Sequence, residues 1–488
     1  MPKDARQIPL TIGPTSDYGW LGGIAYNKDF GNKASYLSSG GIDPLRSPGI
    51  LQTGFLASIV NASVTQQLTG AVFAPGIGGV TRLFGIGSFG QFYDFNTDTF
   101  VVNPTYVASM SNTDYGFAYF NSHIFLSRNE GVSITRLTKI NPLNTGVSVI
   151  DALNSSMISS VAGIQIRHVL YPWKSNLYCL HANNIDYLDG NGAVTGILTQ
   201  GARLPSGMVI KTATSYGDKI VVGASDNLTI GSDKGTICKV YFYDGISNDW
   251  QKEVLFPETD ITNLVFNAGK LIGFGFRNSY VYNPTSEGWD VYKPIDATNP
   301  MTHNSHSIND GQLWFAGDGL VNSYGRNNDV MPETFNVPYS GLGVGADGIG
   351  AGICRWINSN TLYVSGLSTR GLQILSGGFR TGVRYKTRSI SVDGTKFRVA
   401  WVRVVVEPLT TSDQATVEIV DDAGTTYVVG TLNGAVASDG PILSKEFFSK
   451  DFTSEPPYLT EFQLSLLFSA GNVKVRRVDF VLETAPEY

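Results

Sequence analysis

The sequence predicts an all-β protein: a β-propeller of about seven blades, followed by a β-sandwich of jelly-roll or immunoglobulin-like type. The composition, a strand-and-turn pattern that recurs every 40 to 50 residues, and a change to longer strands near residue 381 lead to this prediction. The 488 residues include 55 glycines, and 16% of the residues are charged while 11% are aromatic. Such a composition is typical of turn-rich β proteins and argues against coiled coils and disordered chains.

The stretch Leu271–Ile295 shows the repeated unit most clearly. The apolar runs Leu271–Phe276, Tyr280–Tyr282 and Trp289–Tyr292 are predicted strands, and Asn283–Gly288 between the last two is dense in turn residues. A three-stranded meander of this kind cannot bury both of its faces alone and therefore needs neighbours.

The rest of the repeat follows the same rule, in which a polar turn introduces a short apolar strand. Seven such strands begin at or near the anchor residues Leu83, Ile124, Leu177, Ile220, Leu271, Leu313 and Leu362. The anchors are 41 to 53 residues apart, which is the length of a propeller blade of about four short strands. We therefore predict a propeller over residues 56–380 with seven blades, six or eight being the alternatives. No helical period is sustained there, which excludes α/β folds.

The flanking segments have different patterns. Residues 1–55 are broken by Gly and Pro without a sustained period, which predicts an extended N-terminal arm. This arm either wraps the following domain and completes its sheet, or reaches a neighbouring subunit. Residues 381–488 contain longer runs, such as Phe397–Glu407 and Val473–Val481, with hairpin turns between them, which predicts the C-terminal sandwich. The boundary between propeller and sandwich is expected between Gly377 and Asp393.

The sequence gives little support to catalysis or metal binding, and we expect a non-enzymatic protein without a cofactor or metal. The three cysteines, Cys179, Cys238 and Cys354, are widely spaced in apolar runs and are predicted to be buried thiols. His303 and His306 form the closest histidine pair, in a polar stretch that predicts a loop rather than a metal site. The glycine-rich run 341–352 lacks the lysine of a phosphate-binding loop and predicts a connection between blades.

Acidic and aromatic residues leave two other functional classes open. Six aspartates lie near predicted strand ends, where turns favour Asp, although a pair of them at the propeller mouth would suit a glycoside hydrolase; they are Asp186, Asp189, Asp244, Asp249, Asp290 and Asp318. Three tryptophans either pack between blades or stack on sugar rings in a host-receptor or carbohydrate-binding propeller; they are Trp173, Trp250 and Trp289.

Charge and hydropathy limit the classes of binding partner that the sequence suggests. The net charge of −6 gives no case for nucleic-acid binding by the overall field. One basic concentration is predicted to be a solvated face, or else a surface for an acidic partner or passing DNA; it comprises Arg380, Arg384, Lys386, Arg388, Lys396, Arg398 and Arg403. The N-terminus has no apolar signal-peptide core, and no apolar window reaches transmembrane length, so we expect a soluble product made in a cytoplasm.

Two stretches resemble kelch repeats. In Tyr280–Ile295 an aromatic pair leads into an Asn-Pro turn and a Trp strand, and Tyr241–Glu253 is similar. The Gly-Gly pair that kelch repeats place at the end of their second strand is missing from both. This resemblance implies a propeller and does not imply a function.

The layout of the whole chain resembles tailed-bacteriophage tail proteins of the nozzle type. The residues that carry this resemblance are the arm segment Gly40–Phe55, the degenerate propeller and the terminal domain that begins at Tyr385. The resemblance implies a virion protein, assembled in the bacterial cytoplasm, that forms a homo-oligomeric ring around the DNA channel and contacts other tail or neck proteins, with no membrane. Candidate subunit-interface residues are Ile42, Pro44, Leu45, Arg46, Pro48, Arg384, Lys386 and Arg388.

Overall fold

The computed structural model of the chain describes 24 segments: residues 6–20, 36–39, 42–43, 49–61, 68–76, 79–87, 92–95, 100–102, 116–130, 134–143, 150–157, 168–190, 198–228, 235–294, 306–309, 311–317, 320–325, 334–339, 354–358, 361–365, 372–379, 381–392, 394–434 and 442–485. Within them the regular structure is β-strand, apart from one short 3-10 helix at Ser449–Asp451. No helix in these segments has the length and apolar character needed to cross a membrane.

The strands fall into three groups along the chain. The N-terminal 55 residues contain β1 (Gln7–Ile12), β2 (Tyr36–Ser39), β3 (Ile42–Asp43) and β4 (Gln52–Thr53). The strand β5 (Phe55–Asn61) then precedes the repeat.

The repeat consists of seven four-stranded antiparallel sheets within the described segments. Blade one holds β6 (Leu68–Pro75), β7 (Thr81–Gly87), β8 (Phe92–Phe95) and β9 (Phe100–Val102). Blade two holds β10 (Gly116–Phe120), β11 (His123–Glu130), β12 (Ile134–Ile140) and β13 (Ile150–Met157). Blade three holds β14 (His168–Trp173), β15 (Asn176–His181), β16 (Asn184–Leu188) and β17 (Thr199–Arg203).

Blades four to six follow the same order. Blade four holds β18 (Val209–Tyr216), β19 (Lys219–Ser225), β20 (Cys238–Tyr243) and β21 (Lys252–Leu255). Blade five holds β22 (Asn263–Asn267), β23 (Lys270–Phe274), β24 (Asn278–Asn283) and β25 (Gly288–Pro294). Blade six holds β26 (Ser307–Asn309), β27 (Gln312–Gly317), β28 (Leu320–Gly325) and β29 (Thr334–Tyr339).

The seventh blade closes the ring with a strand from the other end of the repeat. Its first three strands are β30 (Cys354–Asn358), β31 (Thr361–Ser365) and β32 (Leu372–Phe379), and its outer strand is β5. In this pairing Ala57 lies opposite Leu375. Because β5 precedes blade one and completes blade seven, the two ends of the repeat are hydrogen-bonded to each other, which removes the open ends of the array.

The predicted propeller is confirmed, and the anchors occupy equivalent places. Each of the seven anchor residues lies on the second strand of its blade and is at most 2% exposed. In blades two to five the polar turn before the anchor is the tight hairpin between the first and second strands. In two of these hairpins both turn residues have positive φ, namely Asn121 with Ser122 and Ala268 with Gly269, as expected for two-residue turns that match the twist of the strands.

The C-terminal residues form two further sheets. Their strands are β33 (Val383–Thr387), β34 (Ile390–Ser391), β35 (Phe397–Val406), β36 (Gln414–Asp421), β37 (Thr426–Asn433), β38 (Ser444–Phe448), β39 (Glu461–Ala470) and β40 (Val475–Thr484). One sheet has the order β1-β40-β35-β38, and the other has the order β2-β33-β39-β36-β37 with β34 beside β39. Side chains of both sheets meet in one continuous apolar core. The jelly-roll or immunoglobulin-like assignment of this two-sheet domain stays a prediction.

Two of the N-terminal strands, β1 and β2, belong to these C-terminal sheets, whereas β3 and β4 pair with each other. β1 pairs with β40 over six residues, and β2 pairs with β33. Trp20 is 1% exposed and lies edge-on to Tyr385, whose hydroxyl donates a 2.8 Å hydrogen bond to the Gly19 carbonyl. The arm therefore completes sheets of its own chain, but they are those of the C-terminal domain and not, as expected, a sheet of the propeller that follows it in sequence.

Candidate functional site

The inner strands of the propeller contain few ionisable side chains. First strands of several successive blades, such as β10 and β14 or β18 and β22, lie side by side around the centre. These seven first strands contain no Asp or Glu in the described segments. Their His, Lys and Arg residues are His168, Lys211 and Arg355, and each is engaged with a neighbouring blade or loop.

His168 connects blades two and three. Its Nδ1 lies 2.7 Å from Oγ of Ser127, which is on β11 of the preceding blade, and both side chains are buried. Burial and the stacked imidazole of His181 lower the pKa of His168 to about 3. The imidazole is therefore neutral at physiological pH. A Ser–His contact that is closed to solvent in this way joins two blades and is not poised for nucleophilic catalysis.

Asp186 extends this buried polar group within blade three. One carboxylate oxygen accepts a 2.8 Å hydrogen bond from Arg203, and the other lies 3.4 Å from Nε2 of His181. Burial tends to raise the pKa of Asp186, but the nearby His181 and the hydrogen bond from Arg203 prevail and lower it. The carboxylate is consequently held by its own blade.

A second buried polar cluster joins blades four and five. Lys211 is 2% exposed, and its Nζ donates a 2.6 Å hydrogen bond to the carbonyl of Asn227 and lies 3.8 Å from Asp260. Asp260 also accepts hydrogen bonds from Ser225 at 2.7 Å and from the Asn227 amide at 3.1 Å. Each charge has partners, and the cluster links the loops where two blades meet.

Arg355 spans the closure of the ring. Its Nε donates a 3.2 Å hydrogen bond to the carbonyl of Ala71 in blade one, and its Nη1 donates to the carbonyl of His306 beside blade six. One side chain of blade seven thus donates hydrogen bonds to backbone carbonyls in or beside both neighbouring blades, one and six. His303, the other member of the histidine pair, lies outside the described residues, and the described part of the chain contains no metal-binding group of three or more His, Cys, Asp or Glu.

Four of the six aspartates that the sequence left open as catalytic carboxylates, Asp186, Asp244, Asp249 and Asp290, accept hydrogen bonds within their own blade or turn. Asp244 accepts hydrogen bonds from the backbone N–H groups of Ile246 and Ser247 at 2.8 and 2.9 Å. Burial tends to raise the pKa of Asp244, but these bonds and that from the Ser247 hydroxyl prevail and lower it to about 2. The carboxylate of Asp290 accepts a hydrogen bond from the side-chain amide of Asn283. The carboxylate of Asp249 accepts one from the backbone N–H of Trp250. Asp318 and the glycine run 341–352 lie outside the described residues.

The three tryptophans pack against aromatic neighbours of the propeller. The ring centroid of Trp250 lies 5.3 Å from that of Tyr241, and the ring centroid of Trp289 lies 5.2 Å from that of Phe256. Trp173 contacts Tyr178, and Lys174 lies over the Trp173 ring at 4.0 Å. All three indoles are half-buried. These contacts favour a packing role over a platform for sugars.

The three cysteines are buried, as predicted, and none is in a disulfide. Burial raises the pKa of the Cys179 and Cys238 thiols well above the usual range and raises that of Cys354 to about 12. Because the thiolate is the reactive form, these groups are chemically inert.

Most described members of the predicted subunit interface are engaged within their own chain. Ile42 is fully buried in the core of the two-sheet domain, so it offers no surface to another subunit in this fold. Arg384 forms a 3.0 Å ion pair with Glu418, and Arg388 lies over the ring of Tyr18. Lys386 is half-buried beside Ser38. Pro44, Leu45, Arg46 and Pro48 lie outside the described residues, as does Arg380 of the basic concentration.

An exposed apolar row lies on the outer face of the β1-β40-β35-β38 sheet. Trp401 on β35 pairs with Phe448 on one side and with Val481 on the other, and Val481 pairs with Pro9. The next row along the strands, Phe447–Val402–Phe480–Leu10, points into the core. Phe448 is 47% exposed, Pro9 is exposed, and Trp401 and Val481 are half-buried. These four residues, the apolar row, extend about 15 Å across the four strands.

Ion pairs border the apolar row on both sides. On one side Arg398 pairs with Glu483 at 2.7 Å. On the other side Arg403 lies 3.9 Å from Glu446, and Asp479 pairs with Arg477 at 3.2 Å. An apolar strip within a polar rim is the arrangement of a protein–protein contact surface.

A β-bulge creates the row, and for this reason sequence reasoning missed it. The register shifts between Val399 and Trp401, so that Ala400 is the extra residue. Strict alternation from Phe397 would direct Trp401 into the core, whereas the bulge directs it outward. The usable sequence signal was the position of Trp401 between Arg398 and Arg403 in a long strand.

Comparisons with known proteins concern the fold. No family model matches the chain, and no curated protein matches its sequence. Similar solved structures include YCF48 bound to D1 peptide, with 10% identity and a TM-score of 0.45, covering 67% of this chain and 97% of that one. YCF48 from Cyanidioschyzon merolae has 11% identity and a TM-score of 0.43, covering 66% and 98%. The Dos1 propeller has 11% identity and a TM-score of 0.39, covering 71% and 95%. By its own sheet order, the chain is a β-propeller protein with an attached two-sheet domain.

Proposed function

We propose that this protein is a non-enzymatic structural subunit of a bacteriophage virion, forming a ring in the tail or neck around the DNA channel. The observation that carries the assembly role is the apolar row with its ion-paired rim on the outer face of a rigid sheet. The ring and the phage assignment depend on the layout of arm, propeller and terminal domain that resembles nozzle-type tail proteins.

The engagement of the polar groups supports a role in assembly. Near the propeller centre, His168, Lys211 and Arg355 each bind a neighbouring blade or loop and hold the blades together. A closed ring of blades braced in this way is a rigid disc, and rigid subunits pack into rings through heterologous contacts. Other tail or neck proteins would contact the remaining faces, with DNA passing through the assembled ring.

Native particles test the proposal. The purified chain is expected to form closed rings, seen by light scattering after size exclusion and by electron microscopy, and an antibody against it should label the tail or neck of virions. A strictly monomeric chain that binds a glycan array would contradict the proposal and would favour a carbohydrate-binding propeller.

A further inference from the structure

We propose that the apolar row binds the apolar row of a second copy of this chain across a two-fold axis. The inference rests on the proposed use of this row as a contact surface, but it does not depend on the ring. The axis would run parallel to the strands, midway between β35 and β40, and therefore along the middle of the four-stranded sheet.

The apolar residues complement one another under this rotation. A two-fold axis along the strands places β35 opposite β40 of the second copy and β38 opposite β1 of the second copy. Trp401 then faces Val481 of the second copy, and Phe448 faces Pro9. Large side chains meet small ones, so the two sheets can approach at the spacing of packed sheets, about 10 Å.

The charges complement one another under the same rotation. β35 carries basic residues on both sides of Trp401, namely Arg398 and Arg403, while β40 carries the acidic residues Glu483 and Asp479 on both sides of Val481. Rotation places Arg398 opposite Glu483 of the second copy and Arg403 opposite Asp479 of the second copy, and the reciprocal pairs form as well. A face divided into a basic and an acidic strand in this way is self-complementary.

The balance of charge also identifies the class of partner. The charged residues in the rows beside the apolar row and at its border are Arg398, Arg403, Arg477, Glu446, Asp479 and Glu483, so the bases and acids are equal in number. A nucleic-acid or strongly acidic partner would call for an excess of bases. A two-fold contact joins only two copies, so it would link subunits of two rings, or a free pair, and would not close a ring by itself.

The test exchanges the charges strand by strand in the full chain. The acidic variant carries Arg398→Glu and Arg403→Glu, and the basic variant carries Asp479→Lys and Glu483→Lys. Wild-type protein is expected to self-associate in sedimentation experiments. Each variant alone should have a dimer dissociation constant raised by about tenfold or more, because like charges now face each other. An equimolar mixture of the two variants should associate again, which a variant that merely failed to fold could not do.

The matched control exchanges charges in an ion pair of the propeller. Lys239 pairs with Glu253 across β20 and β21 at 2.8 Å, with similar exposure. Lys239→Glu and Glu253→Lys should leave association unchanged. A wild-type chain that stays monomeric at about 100 µM overturns the two-fold contact, as does a mixture of the variants that stays monomeric. Rings that associate in pairs equally well in the wild type and in both variants would also overturn it, while supporting the proposed virion role.

Discussion

The hydroxyl of Ser127 lies 2.7 Å from Nδ1 of His168, across the boundary between blades two and three. The two residues are 41 positions apart, close to the length of one blade. His168 stacks on His181 and is neutral because burial and that neighbour lower its pKa to about 3. This contact makes the stability of the propeller depend on pH.

Acid is expected to destabilise the propeller through His168. The unfolded chain binds a proton at His168 near pH 6.5, whereas the folded chain does so only near pH 3. The stabilising effect of the neutral imidazole is therefore complete above pH 6.5 and is lost as the pH falls toward 3. Between pH 6.5 and pH 5 the free energy of unfolding should fall by about 2 kcal/mol from this site.

Urea unfolding at both pH values, in wild type and His168→Gln, measures this dependence. Gln keeps a hydrogen-bonding group near Ser127 and cannot titrate, so the pH-dependent loss should shrink by about 2 kcal/mol. His123→Gln is the control, since His123 is a half-buried histidine of blade two outside this contact. An equal loss in wild type and His168→Gln would contradict the assignment.

Removing one partner of the Lys211–Asp260 cluster should be strongly destabilising. Lys211→Met leaves the carboxylate of Asp260 buried without its cation, and the expected loss is about 3–5 kcal/mol. The double variant Lys211→Met with Asp260→Leu should lose less than the sum of the two single variants, because neither charge remains buried alone. The same cycle on the exposed pair Lys239 and Glu253 should give a coupling of at most about 1 kcal/mol. Additive losses at Lys211 and Asp260 would show that the two charges do not interact.

The carboxylate of Glu258 should stabilise the turn between β23 and β24 of blade five. It accepts hydrogen bonds from the backbone N–H groups of Phe276 at 2.6 Å and Asn278 at 2.7 Å, and from the Tyr280 hydroxyl at 3.1 Å. Glu258→Ala removes these charge-assisted bonds, and thermal unfolding should show a loss of about 2–3 kcal/mol. Glu253→Ala, on an exposed strand position, should change stability by about 0.5 kcal/mol or less. Equal effects of the two substitutions would argue against the role of Glu258.

Ala268 lies in the hairpin of blade five with a φ of 48°, a conformation that alanine adopts at a cost. Ala268→Asn should therefore stabilise the protein by about 1 kcal/mol, since Asn-Gly is the favoured pair for this turn. Ala423→Asn is a matched control, because Ala423 also precedes a turn glycine, Gly424, but has no positive φ. Hydrogen exchange at the amides of each hairpin measures the change in stability caused by each substitution. A gain at Ala423 equal to that at Ala268 would show that φ is not the cause.

The sequence by itself determined the repeat, since each blade is built from strands and turns that are close along the chain. A polar turn followed by a buried anchor such as Leu177 or Leu271 is a local signal, and local signals predicted the blade number. The same locality accounts for the buried cysteines and for aspartates such as Asp244 that bind their own turn.

Only the tertiary structure decided the contacts between distant residues. Closure of blade seven by β5 joins Ala57 to Leu375, and β1 pairs with β40 at the opposite end of the chain. No local preference encodes such pairings, because they arise when apolar faces and strand edges are buried together. The apolar row depended in addition on one bulge at Ala400, which reverses the direction of Trp401 and which alternation alone could not predict.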